Sequence, residues 1–169
     1  MAMVDDAELL TLAQVLGEAL REKGWTLSLA ESCTGGWAAQ CITAIPGSSA
    51  WFDRGFVTYS NSAKQQMLGV GADTLQKHGA VSEPTAQEMT LGALAYSEAD
   101  ISAAITGIAG PDGGSVEKPV GTVCFGWSCQ NGQILTRREV FAGDRESVRR
   151  QSVKAALEGL LQLTLTSDL

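Results

Sequence analysis

The chain has 169 residues, 44% of them hydrophobic, enough to fill the core of a single domain over residues 1–169. Twelve basic against nineteen acidic residues give a net charge of -7, and no block of Lys or Arg concentrates the positive charge, which argues against nucleic-acid binding. The acidic opening "MAMVDDAELL" and the lack of any apolar run near the roughly 18 residues of a membrane span predict a cytoplasmic protein without membrane contact.

In chain order, Leu9, Leu10, Ala13, Leu16, Ala19 and Leu20 recur at helical spacing over residues 6–23, and Gly24 follows as a stop. "WTLSLA" is a short β-prone run; after Glu31, Ser32, Cys33 and Thr34 come Gly35-Gly36 and the helical "WAAQCITAI", which ends at Pro46-Gly47. This is a strand-turn-helix junction. "RGFVTYS", residues 54–60, alternates as a strand, and Ser60 or Asn61 can cap the helix "SAKQQML". His78 sits in "LQKHGAVS", which reads as a helix end. Ser82 caps a longer helix with Pro84 in its first turn, and that helix feeds the apolar "DISAAITGI", a buried central strand.

The Gly/Pro-rich "GIAGPDGGSVEKPVG" follows. Two strand-like runs joined by Asn131-Gly132 then make the strongest short hairpin signal in the chain. Asp144 can cap a last long helix that begins at Arg145. Helices alternating with buried strands, plus one hairpin, predict a three-layer α/β/α fold on a mixed, mostly parallel sheet of about five strands.

In such sheets ligands bind beyond the carboxyl ends of the parallel strands. Those ends carry Glu31 to Thr34, then Tyr59, Ser60, Asn61 and Lys64, then Thr106, Gly107 and the glycine-rich loop with Gly110, and finally Gly143 to Arg145. Four segments are expected on one rim. Ser32 before a helix reads most simply as an N-cap, but a serine whose oxyanion is held by helix-start amides can also be a nucleophile. Cys33 is the rival nucleophile and equally a buried packer. Lys64 is ordinarily a solvated lysine; desolvated and within reach of a serine, it becomes a general base.

Tyr59 is by default a packing aromatic, and functionally a proton relay or an orienting group for such a pair. The glycine-rich loop is neither a P-loop nor a dinucleotide fingerprint; it reads equally as a plain connection or as an anion-binding nest. Arg145 opposes the helix dipole unless it pairs with Asp144 or Glu146 or meets a bound anion. The four cysteines lack C-x-x-C spacing and there is one histidine, so neither a metal site nor a disulfide framework is expected. Ser-His-Asp or Cys-His chemistry would have to run through His78.

"AESCTGG", "GFVTYSNSAK", "GAVSEPTAQEM", "ITGIAGPDGGSVEKPVGTV" and "FAGDRESVRRQSV" occur in that order, and together they resemble the C-terminal domain of the competence/damage-inducible protein CinA, in its stand-alone amidohydrolase form. The resemblance runs from about residue 9 to 161. It implies hydrolysis of the carboxamide of nicotinamide mononucleotide to nicotinate mononucleotide and ammonia, in pyridine nucleotide salvage. It also implies no cofactor, a small nucleotide as partner and a homodimer or larger assembly. On the same ground Ser32 and Lys64 are the expected catalytic pair, with Tyr59 beside them, and Glu31, Cys33, Thr34, Gly35, Asn61, Thr106, Gly107, Gly110 and Arg145 are the expected substrate contacts. A phosphate-metabolite-binding or regulatory module of the same fold, without turnover, is the alternative; so is an amidase of another small amide.

Overall fold

The computed structural model describes residues 3–168. α1 (Asp6–Lys23) starts at Asp5, whose side chain accepts from the Glu8 amide, and ends at Gly24 as its sequence indicates. β1 (Leu27–Glu31), α2 (Trp37–Thr43), β2 (Phe52–Val57) and α3 (Asn61–Leu68) follow, then α4 (Ala72–His78), α5 (Glu83–Ala95), β3 (Ile101–Gly107), β4 (Thr122–Cys129), β5 (Ile134–Val140) and α6 (Arg145–Thr166). The strands form one sheet in the order β2-β1-β3-β4-β5. β1 is parallel to both neighbours, with Leu29 opposite Gly55 and Ala103, and β4 is antiparallel to β3 and β5. Only β4 runs against the rest, so the sheet is mixed and mostly parallel.

Alternation along the strands divides the residues between two unlike faces. Leu27, Leu29, Ile101, Ile105, Val123, Phe125 and Trp127 form the main core with α1, α2 and α6. The opposite face carries the small side chains Ser28, Ala30, Ser102, Ala104, Gly126 and Ser128, which let α5 come close. There Thr90 Oγ1 bonds Ser128 Oγ at 2.9 Å and Ser102 Oγ donates to the Thr90 carbonyl at 2.7 Å. Buried hydroxyls are thus satisfied within the α5 layer.

Two boundaries differ from the sequence reading. β2 begins at Phe52 and ends at Val57, because its register is set by β1, where Leu27 faces Phe52 and Glu31 faces Val57. Past that point only the Thr58 amide still reaches the Glu31 carbonyl, at 2.8 Å, and Tyr59 leaves the sheet. α4 is a separate helix, of which only the end at His78 is legible in the sequence. No helix among the described residues is long and apolar enough to cross a membrane.

The chain leaves β1 toward α2 on one face and leaves β2 toward α3 on the other. A crevice therefore opens between the carboxyl ends of β1 and β2, where such sheets bind ligands.

Candidate active site

Ser32 directly follows β1 and is still held by the sheet, its amide donating to the Ile105 carbonyl at 2.9 Å. The Gly35 amide then closes a tight turn on the Ser32 carbonyl at 3.0 Å. α2 starts only after this turn, with Gly36 at φ 101° as its cap residue, which has no side chain of its own to cap it. Ser32 is therefore not an N-cap.

The anion that this helix start attracts is Glu31, 1% exposed. Its carboxylate accepts from the Ala38 amide at 2.9 Å, the Ala39 amide at 3.0 Å and the Thr34 hydroxyl at 2.7 Å. The side chains of Glu31 and Thr34, expected against substrate, are thus spent on each other and on the helix. The first amides of α2 are not free to hold an oxyanion.

Lys64 stands one turn into α3, whose start is capped by Ser60 Oγ accepting from the Ala63 amide at 3.0 Å. It is not a solvated lysine. Only 2% of it is exposed, and its Nζ donates to Ser32 Oγ at 3.0 Å and to the Thr58 carbonyl at 2.8 Å. Burial drives its pKa below the ordinary lysine value, an effect that the nearby Cys33 opposes. No carboxylate among the described residues bonds to it. The Thr58 hydroxyl beside it is buried and has no partner among the described residues.

Burial acts oppositely on Cys33, pushing its thiol to about 12, although Arg149 pulls the other way. The sulfur packs against Gly107, where an added Cβ would come within 3.1 Å of Sγ and 2.8 Å of a Val123 methyl. A thiol so protonated and enclosed is a packing group, which leaves Ser32 as the nucleophile candidate of this turn.

Thr106 commits its hydroxyl to the Ala80 carbonyl at 2.8 Å. The Ile108 amide donates to the Thr122 carbonyl on the β4 side at 2.9 Å, so strand alternation directs the preceding Gly107 amide toward β1, beside Ser32. Arg145 opens α6 beyond its cap Asp144, whose carboxylate accepts from the Ser147 amide at 2.9 Å. It pairs with neither Asp144 nor Glu146. Instead it donates to the Gly110 carbonyl at 2.7 Å and to the Tyr59 hydroxyl at 3.1 Å, joining the glycine-rich loop to the corner before α3. Tyr59 is 63% exposed, and Asn61 is exposed on the same corner. All four predicted segments meet on one rim.

One contact of this rim has no counterpart in the sequence reading. Arg149 donates Nε to the Cys33 carbonyl at 2.9 Å and Nη2 to the Thr34 carbonyl at 3.2 Å, with its guanidinium 5.4 Å from the Trp37 ring centre. The available signal was an arginine four residues after Arg145, on the same helical face and again near a helix start, where cations are disfavoured.

The model of the CinA C-terminal domain family matches residues 9–164. The nicotinamide-nucleotide amidohydrolase PncC of Escherichia coli strain K12 is 59% identical over 157 residues, which cover 93% of this chain and 95% of that protein. PncC of Pseudomonas putida is 52% identical over 153 residues, covering 90% and 95%. Among solved structures, the competence/damage inducible protein CihA of Agrobacterium tumefaciens superposes with a TM-score of 0.91 at 46% identity, covering 96% of this chain and 98% of that one.

Proposed function

Because the chain belongs to the CinA C-terminal domain family, we propose that it is an amidohydrolase that converts nicotinamide mononucleotide to nicotinate mononucleotide and ammonia, with Ser32 as nucleophile and Lys64 as its base. It acts in the cytoplasm, in pyridine nucleotide salvage. One observation carries the mechanism: the buried amine of Lys64 lies 3.0 Å from Ser32 Oγ, and its pKa is lowered by desolvation. At that distance the ammonium donates to the hydroxyl, and the neutral amine accepts its proton.

In the first half of the reaction neutral Lys64 takes the Ser32 proton as Oγ attacks the carboxamide carbon. The amides of Thr34 and Gly107 receive the oxyanion. As the C–N bond breaks, the Lys64 ammonium returns its proton to the departing nitrogen, which leaves as ammonia, and an ester on Ser32 remains. In the second half water attacks this ester, Lys64 takes one proton from the water, and as the C–O bond breaks that proton passes to Ser32 Oγ, restoring the starting site. The carboxylic acid so formed releases the second proton of the water to solvent and leaves as the carboxylate.

Arg145 and the glycine-rich loop hold the nucleotide phosphate, for which the guanidinium is a forked cationic donor. The substrate's pyridinium charge also suits this base. A cation bound nearby favours the neutral form of Lys64, adding to the effect of burial.

Ammonia release from nicotinamide mononucleotide, measured beside free nicotinamide and the dinucleotide, tests the assignment. Ser32→Ala should lose at least about 1000-fold in kcat, because the nucleophile is absent. Cys33→Ala should stay within tenfold of the parent enzyme. The reverse ranking would transfer the nucleophile to the thiol, and near-normal turnover in Ser32→Ala would remove Ser32 from the chemistry.

A further inference from the structure

The turn after β1 has its carbonyls on one side. Arg149 takes those of Cys33 and Thr34 through two nitrogens of one guanidinium, at 2.9 and 3.2 Å. In a trans peptide the N–H points opposite to the carbonyl. The Thr34 amide, which shares its peptide with the Cys33 carbonyl, therefore points away from Arg149, and so does the Gly35 amide. The Gly35 amide fixes where that direction leads, since it donates to the Ser32 carbonyl at 3.0 Å. The Thr34 amide has no acceptor among the described residues. It faces the Ser32 side as an uncommitted donor.

The arginine itself is held. Its guanidinium lies over Trp37, it makes no ion pair among the described residues, and its hydrogen bonds go to the turn. Glu31 grips the same turn from its other end through the Thr34 hydroxyl.

We propose that Arg149 is a positioning residue for the oxyanion hole: by clamping the Cys33 and Thr34 carbonyls it fixes the peptide plane that aims the Thr34 amide at the reacting carbonyl beside Ser32. Hydrogen bonding of a carbonyl to a cation also polarises its peptide, which makes that amide the stronger donor. Arg149 touches neither substrate nor the reacting atoms. This role rests on Ser32 being the nucleophile.

Arg149→Ala and Arg149→Lys test it by steady-state kinetics with nicotinamide mononucleotide, with thermal unfolding recorded for each protein. Loss of one oxyanion donor costs roughly 100-fold to 1000-fold in kcat, so Arg149→Ala should fall by about 100-fold or more. KM should stay within about threefold, and the acid limb of the pH profile should not move, because Lys64 is untouched. Millimolar guanidinium should restore kcat in Arg149→Ala saturably, whereas ammonium should not. Arg149→Lys keeps the charge without the fork and should remain at least about tenfold below the parent; it carries the test if Arg149→Ala does not fold.

Parental kcat in either variant, or a loss confined to KM, overturns the role. So does a lowered melting temperature whose lost activity guanidinium does not restore. If Ser32→Ala is inactive while Arg149→Ala is normal, the positioning role alone fails; if Ser32→Ala is active, the nucleophile assignment fails first.

Discussion

Lys64 owes its chemistry to burial. Among the described residues its Nζ has Ser32 Oγ and the Thr58 carbonyl as partners and no carboxylate, so desolvation lowers its pKa. The reactive form is the neutral amine. Rate should therefore rise with pH through the Lys64 pKa, on a limb below the ordinary lysine value of 10.5. A bound pyridinium cation lowers that pKa further, so the limb in kcat, which reports the complex, should lie at lower pH than the limb in kcat/KM, which reports the free enzyme. pH profiles of both parameters check the order; coincident limbs, or the opposite order, would place the titrating group elsewhere. The sequence shows a serine and a lysine 32 positions apart; their residue types allow the pair, and the family motifs around them make it the expected one. What it hides is who occupies the start of α2: Ser32 reads as its cap, whereas the Ala38 and Ala39 amides go to the Glu31 carboxylate. Arg149 stayed invisible because its acceptors are backbone carbonyls more than 110 residues away.

At the level of elements, α3 carries Lys64 and is seated by α5. Gly92 marks the contact: a Cβ there would come within 2.8 Å of the Leu68 carbonyl carbon and 2.9 Å of its Cβ, at the end of α3. An ordinary helical Gly→Ala change stabilises by up to about 1 kcal/mol. Here the sign reverses. Gly92→Ala should destabilise by about 1–3 kcal/mol through overpacking, and it should slow turnover by shifting α3 and with it Lys64. Urea unfolding and kcat on the same protein check both effects, and a stabilised, fully active variant would show that the contact yields easily. Helix starts at Ser60, Ser82 and Asp144 were legible because each cap is a side chain that accepts from the amide three residues on. The limits of β2 and the separateness of α4 were not, since a strand's length depends on a neighbour's register and α4 is capped by contacts with Glu88 on α5.

At the level of the whole molecule, the order β2-β1-β3-β4-β5 brings four chain segments to one edge of the sheet, with Ser32 and Lys64 on opposite banks of the β1/β2 crevice. That convergence was legible because alternating helices and buried strands impose parallel connections, and the Asn131-Gly132 hairpin then returns Arg145 to the same edge. The proposed reaction runs through a hydroxyl and an amine of the chain itself. Dialysis against a strong chelator should therefore leave the rate of ammonia release unchanged, and a loss restored by a divalent metal would contradict this.

The cooperation of Ser32 and Lys64 is tested most directly by a double-mutant cycle on kcat/KM for ammonia release from nicotinamide mononucleotide. Groups that act as one unit lose their effect together. Ser32→Ala and Lys64→Ala should each cost about 1000-fold or more, and the double variant should be no slower than the slower single one. If the two losses instead multiply, Lys64 acts independently of Ser32 and the pair is not a catalytic unit.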